Sequence, residues 1–412
     1  MKRIGWMAVL LATCVAASAP AAEEDPNWPE TISRLRQQVY ERPGHAHTRQ
    51  QLAIAYNNYG VSLGNQGQWG LAAQQMQEAI RLDGESEQFR MNLANIRLNQ
   101  AHEAIQRHDL TTALGALEET IELNPNLPQA YAMLGEIQYE KQQLKEAKAS
   151  WERAAELDPS QDGLVERLAR VRQELPIESK FERLSQAFFD LRYEEHLERP
   201  VGFDVRDALL QARRHVGSDF AYWPKHKLVV LIYSAEHFRA LRQETPDWVA
   251  GQFDGKIRVP LPSAQLDQAT VKQILFHEYT HALVHDVAKG RCPSWLNEGL
   301  AEYEGRTQLR GSVQLLARAH QANHLIPWRE LSDHISTALP AEEVGLAYEQ
   351  SYSIVTYLVG RYGFWRLRRI LKGIAEGTPW EAALADELRL KLPKLETRWL
   401  EWLPEFLSGP SA

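Results

Sequence analysis

The sequence contains very little cysteine, which excludes a fold held together by disulfide bonds. Its 412 residues include two cysteines, Cys14 and Cys292. Removal of an N-terminal signal peptide would leave only Cys292, which we expect to be a buried and unreactive thiol. Stability must therefore come from hydrophobic burial, and a chain of this length can build a sizeable core over two or three domains.

An excess of positive charge is also absent, as is any long apolar run beyond the N-terminus. The formal net charge of −8 excludes nucleic-acid binders whose affinity comes from a broad basic surface. A membrane-spanning helix needs about 20 consecutive apolar residues. No later stretch reaches this length, so we expect no transmembrane segment in the mature chain.

Residues 1–21 are typical of a signal peptide. Lys2 and Arg3 precede a short apolar core, and Ala19 and Ala21 are small residues at the two positions that a signal peptidase recognises. We therefore expect an exported protein and favour the periplasm as its compartment. Lipid attachment at Cys14 is the weaker alternative, because a threonine precedes this cysteine and apolar residues follow it.

A repeat begins near residue 50, after a lead-in at residues 22–49. The segments AAQQMQEAIRLDG, TALGALEETIELNP and EAKASWERAAELDP align with one another, and Pro125 and Pro159 close two copies 34 residues apart. Small residues recur where paired helices must approach closely: Ala72, Ala79, Ala113, Thr120, Ala147 and Ala154. This pattern resembles the tetratricopeptide repeat, although the second unit is stretched to 41 residues.

The resemblance implies an all-α solenoid over residues 50–175, in which stacked helix pairs leave a concave surface. Such surfaces often bind proteins or peptides, so we expect a protein or peptide partner. The alternative is that the repeats only space or dimerise the second half of the chain.

Strand patterns follow Pro176 and precede a region of helices. KLVVLIYSA (227–235) predicts a buried strand, and FFDLRYEE (188–195) predicts a weaker one. GQFDGKIRVPL (251–261) contains a turn signal at Asp254-Gly255 followed by an alternating strand. Strands followed by helices predict an α+β domain over residues 180–405.

The segment FHEYTHALVH carries the strongest chemical signal in the sequence. It lies in a pattern that predicts a helix over residues 271–290. On a helix, His277 and His281 share one face and can direct their imidazoles at one metal ion. Glu278 lies too far round the helix to coordinate comfortably, and would instead take a proton from the water that the metal activates. The alternative is a helix with solvent-facing histidines, which fits poorly with the uncharged residues around the pair.

A catalytic zinc needs a third protein ligand and one open position. The segment PSWLNEGLAEYEG (293–305) predicts a second helix that carries Glu298 and Glu302 on one face, while Glu304 turns away. One of these two carboxylates could bind the metal while the other accepts a hydrogen bond from a ligand histidine. Their positions alone do not distinguish the two roles.

HEYTH followed by WLNEGLAEY resembles the gluzincin metallopeptidases, and most closely their "peptidase MA-like" branch. The resemblance implies one zinc ion per chain, held by His277, His281 and Glu298, with Glu302 supporting a ligand histidine. The spacing between His281 and Glu298 is slightly shorter than in the zinc aminopeptidases, which leaves Glu302 as a rival ligand.

The same resemblance suggests a donor for the oxyanion that forms during hydrolysis. AYEQSYSIVTYLVGRYG (347–363) is similar to the segment that carries the catalytic tyrosine of zinc aminopeptidases, and Tyr348 falls on the matching position. Tyr352 competes for this role, and both tyrosines could instead be packing residues. The glutamate that binds the substrate's amino group in aminopeptidases has no clear counterpart, since Asp254 is better explained as a turn residue.

These observations predict a zinc-dependent peptidase that acts outside the cytoplasm and recruits a protein through its repeats. Two alternatives remain open. One is a non-catalytic interaction scaffold with a remnant peptidase domain, and the other is a hydrolase that acts on cell-wall peptide cross-links. The sequence does not identify the substrate-binding residues.

Overall fold

The computed structural model describes residues 27–107, 109–194, 199–241, 252–261, 268–309, 311–336 and 339–408. The predicted signal peptide and Cys14 lie outside the described residues. The chain divides into an N-terminal unit that ends at Leu175 and a C-terminal unit that begins at Pro176. None of the described helices is both long enough and apolar enough to cross a membrane.

The N-terminal unit is built entirely from helices among its described residues. In chain order they are α1 (Trp28–Glu41), α2 (Ala46–Asn65), α3 (Trp69–Leu82), α4 (Glu87–Gln106), α5 (Leu110–Leu123), α6 (Pro128–Glu140), α7 (Leu144–Leu157) and α8 (Leu164–Glu178), whose last residues pass into the C-terminal unit. The main packed pairs are α2 with α3, α4 with α5, and α6 with α7. The lead-in at residues 22–49 is partly helical, since it contains α1. Ile32 and Leu35 of α1 pack in the same apolar cluster as Leu52 of α2.

The stretched spacing of the second repeat has a simple helical explanation. Helices α2 and α4 each contain 20 residues, whereas α6 contains 13. The seven additional residues make about two helical turns, so the apolar face keeps its direction along the longer helix. The longer units therefore keep the same packing surface.

Close helix approach explains the small residues of the repeat pattern. Ala72, Ala113 and Ala147 are fully buried at equivalent positions of α3, α5 and α7. A Cβ at Gly135 of α6 would lie 2.4 Å from the indole of Trp151. The indole in turn donates a hydrogen bond of 3.2 Å to the carbonyl of Ala132. Any larger residue at position 135 would force α6 and α7 apart.

A five-stranded sheet forms the base of the C-terminal unit. Its strands are β1 (Glu182–Ser185), β2 (Phe189–Tyr193), β3 (Leu228–Ser234), β4 (Gln252–Phe253) and β5 (Ile257–Leu261), in the order β1-β2-β3-β5-β4. Strand β3 pairs in parallel with both β2 and β5, whereas the outer pairs β1–β2 and β4–β5 are antiparallel. The predicted strands are confirmed as β2, β3 and β5, while β1 was not predicted.

Helices cover both faces of this sheet. The described helices of the C-terminal unit are α9 (Arg199–Phe220), α10 (Ala235–Leu241), α11 (Gln268–Ala288), α12 (Ser294–Arg306), α13 (Gln314–Gln321), α14 (Ala341–Tyr362), α15 (Phe364–Ala375), α16 (Trp380–Leu388) and α17 (Leu392–Ser408). The main contacts with the strands come from α9, α10 and α11. Val230 and Ile232 of β3 join the large core formed with α9 and α11. Val229, Leu231 and Tyr233 face the other side, where Phe238 of α10 covers them. The sheet is buried on both faces, as its nearly continuous apolar strand predicts.

Candidate metal centre

Helix α11 brings the two histidines of the HEYTH motif together. Leu275, Tyr279 and Leu283 are buried in the core and fix the rotation of the helix about its axis. His277 and His281 therefore lie on one face, with their Nε2 atoms 3.1 Å apart. The side chains are 18% and 10% exposed, so the pair lies in a nearly closed site.

Helix α12 supplies a carboxylate to the same point. The Oε2 atom of Glu298 lies 3.6 Å from His277 Nε2 and 3.3 Å from His281 Nε2. Close backbone approach makes this possible, since a Cβ at Gly305 would lie 3.2 Å from the Gln273 carbonyl of α11. The two helices can converge in this way because α12 carries glycine at the contact.

The three ligand atoms fit the coordination shell of a small divalent metal ion. A tetrahedral ion with ligand bonds of about 2.0–2.1 Å places its ligand atoms about 3.3 Å apart. The observed separations of 3.1, 3.3 and 3.6 Å bracket this value. Two imidazole nitrogens and one carboxylate are also a donor set that zinc accepts, with one position left for solvent or substrate.

The charges at the site favour a cation. Burial acts to raise the pKa of Glu298, but the neighbouring His281 and His277 overcome this effect and keep it well below its usual range. Burial likewise acts to lower the pKa of His277, yet hydrogen bonding with Glu298 and Glu302 raises it well above the ordinary value. The surrounding carboxylates thus attract positive charge to the point where the imidazoles meet.

Glu302 lies behind His277 rather than at the convergence point. Its Oε1 atom is 3.4 Å from His277 Nδ1, while its Oε2 atom accepts a hydrogen bond of 2.7 Å from Arg306 Nε. Burial opposes ionisation, but these two partners lower the pKa of Glu302 to about 2. A carboxylate that interacts with the second ring nitrogen of a ligand histidine orients the imidazole and increases its basicity. Arg306 was not predicted from the sequence, although it follows Glu302 by one helical turn.

Glu278 is buried beside the histidine pair, but it does not belong to the group of possible metal ligands formed by His277, His281 and Glu298. The residue is 3% exposed, and no described residue forms a hydrogen bond with its Oε2 atom. Burial raises the pKa of this carboxyl, and the charges of Glu298 and Asp254 add to the increase, while the two histidines oppose it. A carboxyl group with a raised pKa and one oxygen free of hydrogen bonds is suited to accept a proton and later return it.

The structure separates the two candidate tyrosines of α14. Tyr348 is hydrogen-bonded to Glu298, and burial together with the nearby carboxylates raises the pKa of its hydroxyl well above 10. Tyr352 lies elsewhere, with the Arg306 guanidinium 4.4 Å from its ring centroid and Phe406 in edge contact. Tyr348 therefore lies at the candidate centre, whereas Tyr352 packs against Arg306 and Phe406.

Two other residues noted in the sequence have structural surroundings that limit their roles. Both carboxylate oxygens of Asp254 lie 3.3 Å from Arg258 Nε, so this residue is anchored within the turn before β5. Cys292 is partly buried against the core, and burial raises the pKa of its thiol.

Comparison with known families agrees with both halves of the architecture. Residues 245–405 match the family described as the Peptidase MA superfamily. Residues 98–162 match a tetratricopeptide repeat. The chain therefore carries tetratricopeptide repeats followed by a Peptidase MA superfamily domain, which confirms the predicted fold class. No curated protein matches the chain.

The solved structures that resemble part of the chain include tetratricopeptide domains. They include the first such domain of Spaghetti (RPAP3) bound to an HSP90 peptide, at 22% identity and a TM-score of 0.23. The first domain of human RPAP3 has 22% identity and a TM-score of 0.22, and each of these two covers 31% of this chain and 94% of its own. The second domain of human RPAP3, in complex with an HSP70 peptide, has 23% identity and a TM-score of 0.23, covering 31% of this chain and 98% of its own.

Proposed function

We propose that the protein is a zinc-dependent peptidase that acts outside the cytoplasm, with repeats that recruit a protein or peptide. The convergence of His277 Nε2, His281 Nε2 and Glu298 Oε2 carries this proposal. A Peptidase MA superfamily match over the same segment supports peptide-bond hydrolysis as the reaction. Export is inferred from the signal-peptide pattern of residues 1–21.

Zinc bound at this point would supply Lewis acidity and favour deprotonation of water near neutral pH. The chain's own groups perform the remaining steps. Glu278 accepts the proton of the attacking water at Oε2 and returns it to the nitrogen of the departing amine. The Tyr348 hydroxyl donates a hydrogen bond to the oxyanion that develops on the substrate carbonyl.

The surrounding residues hold these groups ready for reaction. Glu302 fixes the orientation of the His277 ring through Nδ1, and Arg306 holds Glu302 in turn. Burial of Glu278 and Glu298 limits competition from bulk water, which strengthens each charge interaction within the site. The geometry is therefore organised before the substrate arrives.

Recruitment through the repeats is the second part of the proposal. A stack of helix pairs presents a concave surface to solvent, and such surfaces commonly hold extended peptides. A repeat unit that binds protein would bring a substrate or a regulator to the peptidase domain of the same chain. Deletion of residues 27–162 would test this role by comparing cleavage of short peptides with cleavage of whole proteins.

The decisive experiment compares wild-type protein with Glu278→Gln on a peptide library, with cleavage products identified by mass spectrometry. We expect zinc-dependent cleavage by the wild type and a decrease of about 10²–10⁴-fold in the variant, because a general base of this kind contributes that much. Glu330→Gln, which removes the same charge at an exposed position, is the matched control. Equal cleavage by Glu278→Gln and wild type would refute the proposed mechanism, and no cleavage by either would favour the scaffold alternative.

A further inference from the structure

A second group of possible metal ligands lies outside the centre described above. It consists of His215 and Asp219 on α9 and Glu304 on α12, whose ligand atoms all lie within 4.8 Å of one another. His215 Nε2 is 3.9 Å from Asp219 Oδ2 and 3.7 Å from Glu304 Oε2. None of these residues takes part in the proposed peptidase mechanism.

Glu304 is the residue that requires explanation. It is fully buried, and no described donor group forms a hydrogen bond with either of its carboxylate oxygens. The adjacent Asp219 is also a carboxyl group, so the two can form a hydrogen bond only when one of them keeps a proton. Burial of a carboxyl group without compensation is costly, and such groups are normally hydrogen-bonded, paired or bound to a metal. His215 and Asp219 lie close enough to share a ligand with it, since the ligand atoms of all three residues lie within 4.8 Å of one another.

The backbone holds the three side chains in a suitable arrangement. His215 and Asp219 lie one turn apart on α9, so both face α12 from the same side. The imidazole of His215 packs against Phe276, with ring centroids 5.9 Å apart. This contact limits the rotation of the ring and keeps Nε2 near Glu304.

An ion could reach these ligands from solvent. The side chains of His215 and Asp219 are 49% and 39% exposed, whereas Glu304 closes the inner side of the cluster. An open depression of about 460 Å³ borders it, lined by Gln211, Arg214, His215, Ser218, Phe276 and Gln308. The exposed side chains of His215 and Asp219 can move, which would bring the ligand atoms from within 4.8 Å of one another to the shorter separations of a coordination shell.

We propose that His215, Asp219 and Glu304 form a second site, which holds a divalent transition-metal ion of the zinc class. One imidazole and two carboxylates suit zinc and its neighbours better than magnesium or calcium, which prefer oxygen ligands alone. The ion would neutralise the buried carboxylate and tie α9 to α12. The site is independent of the proposed peptidase function.

The test measures zinc binding by full-length protein in which the central site has been removed. The variant His281→Ala/Glu298→Gln is stripped of metal and titrated with Zn²⁺ in competition with a chromophoric chelator. We expect it to bind one zinc ion, and we expect further substitution of Asp219→Asn or Glu304→Gln to weaken this binding by more than about 100-fold. Asp207→Asn, at a mostly exposed position of the same helix, is the matched control and should leave binding unchanged.

Two results would overturn the second site. The first is absence of zinc binding in the folded double variant, which would make the cluster a pair of carboxyl groups that share a proton. The second is zinc binding that survives both Asp219→Asn and Glu304→Gln. If the double variant fails to fold, the number of zinc ions bound by the wild type and by Asp219→Asn can be compared instead. We expect two zinc ions for the wild type and one for Asp219→Asn.

Discussion

A Cβ atom at position 299 would lie 2.6 Å from the carbonyl oxygen of Ser351. Gly299 of α12 thus lets α12 pack directly against α14, immediately beside Glu298 and one turn from Tyr348. The close approach of these two helices brings the proposed metal ligand Glu298 and the proposed oxyanion donor Tyr348 into the same site. The close contact between α12 and α14 therefore explains why a glycine occupies position 299, whether or not a metal is bound.

The variant Gly299→Ala should separate the two helices and disturb the site. Overpacking of this kind costs about 1–3 kcal/mol of the free energy of unfolding, and we expect weaker zinc binding as well. Chemical denaturation of the full chain measures the first effect. Gly360→Ala on α14, where a Cβ would meet nothing within 4 Å, is the control and should stabilise the helix slightly. Equal stability of Gly299→Ala and wild type would contradict the close contact.

The two glutamates of α12 should differ in their effect on zinc affinity. Glu298→Gln removes the negative charge of the proposed ligand, whereas Glu302→Gln removes only the charge behind His277 and should weaken zinc binding by about 10–100-fold. Competition titration with a zinc chelator would measure both, in a background that carries Asp219→Asn. A larger loss for Glu302→Gln than for Glu298→Gln would reverse the proposed roles.

The variant Tyr348→Phe tests the oxyanion donor. Loss of one such donor lowers kcat by roughly 10²–10³-fold, and we expect KM and zinc content to change little. Tyr352→Phe keeps the ring that packs against Arg306 and Phe406, so its kcat should match the wild type. The assignment fails if Tyr352→Phe loses activity while Tyr348→Phe keeps it.

Glu304 should make the metal-free protein less stable as the pH rises. Burial and the adjacent Asp219 raise the pKa of Glu304 to about 8 in the folded chain. The folded state thus keeps a proton that the unfolded chain loses near pH 4.5, the ordinary value. The protonated Glu304 therefore contributes fully to the free energy of unfolding below about pH 4.5. This contribution is lost progressively towards pH 8, by an amount on the order of 4 kcal/mol.

Calorimetric midpoints of metal-stripped wild type and Glu304→Gln between pH 4.5 and 8 would measure this effect. Gln cannot ionise, so the difference between the two proteins should change with pH in favour of the variant. His215, Asp219 and Tyr303 face the same carboxyl group and are present in both proteins, so their own titrations largely cancel. A difference that does not depend on pH would show that Glu304 has an ordinary pKa.

The sequence was sufficient for the histidine pair because the pattern is local. Four-residue spacing on a helix determines that His277 and His281 share a face, whatever the rest of the fold does. The strand β3 was also predictable, since its continuous apolar run has few alternatives. The short edge strand β1 was not, because its four residues alternate weakly between half-buried and exposed positions.

Contacts between distant segments could not be derived from the sequence alone. Glu298 and Glu302 lie on one helix face, and the different roles that we propose for them depend on how α12 packs against α11. Glu304 was expected to turn away from the histidine pair, and it does, but its proximity to His215 and Asp219 depends on the position of α9. The His-x-x-x-Asp spacing at residues 215–219 was the only local signal for that cluster.

The most direct test of the central claim is the position of zinc in crystals of the zinc-loaded protein. Anomalous scattering on the two sides of the zinc absorption edge identifies the ion without reference to activity. We predict a peak at about 2.0–2.2 Å from His277 Nε2, His281 Nε2 and a Glu298 carboxylate oxygen. Absence of a peak between these three residues in fully loaded crystals would contradict the proposed metal centre.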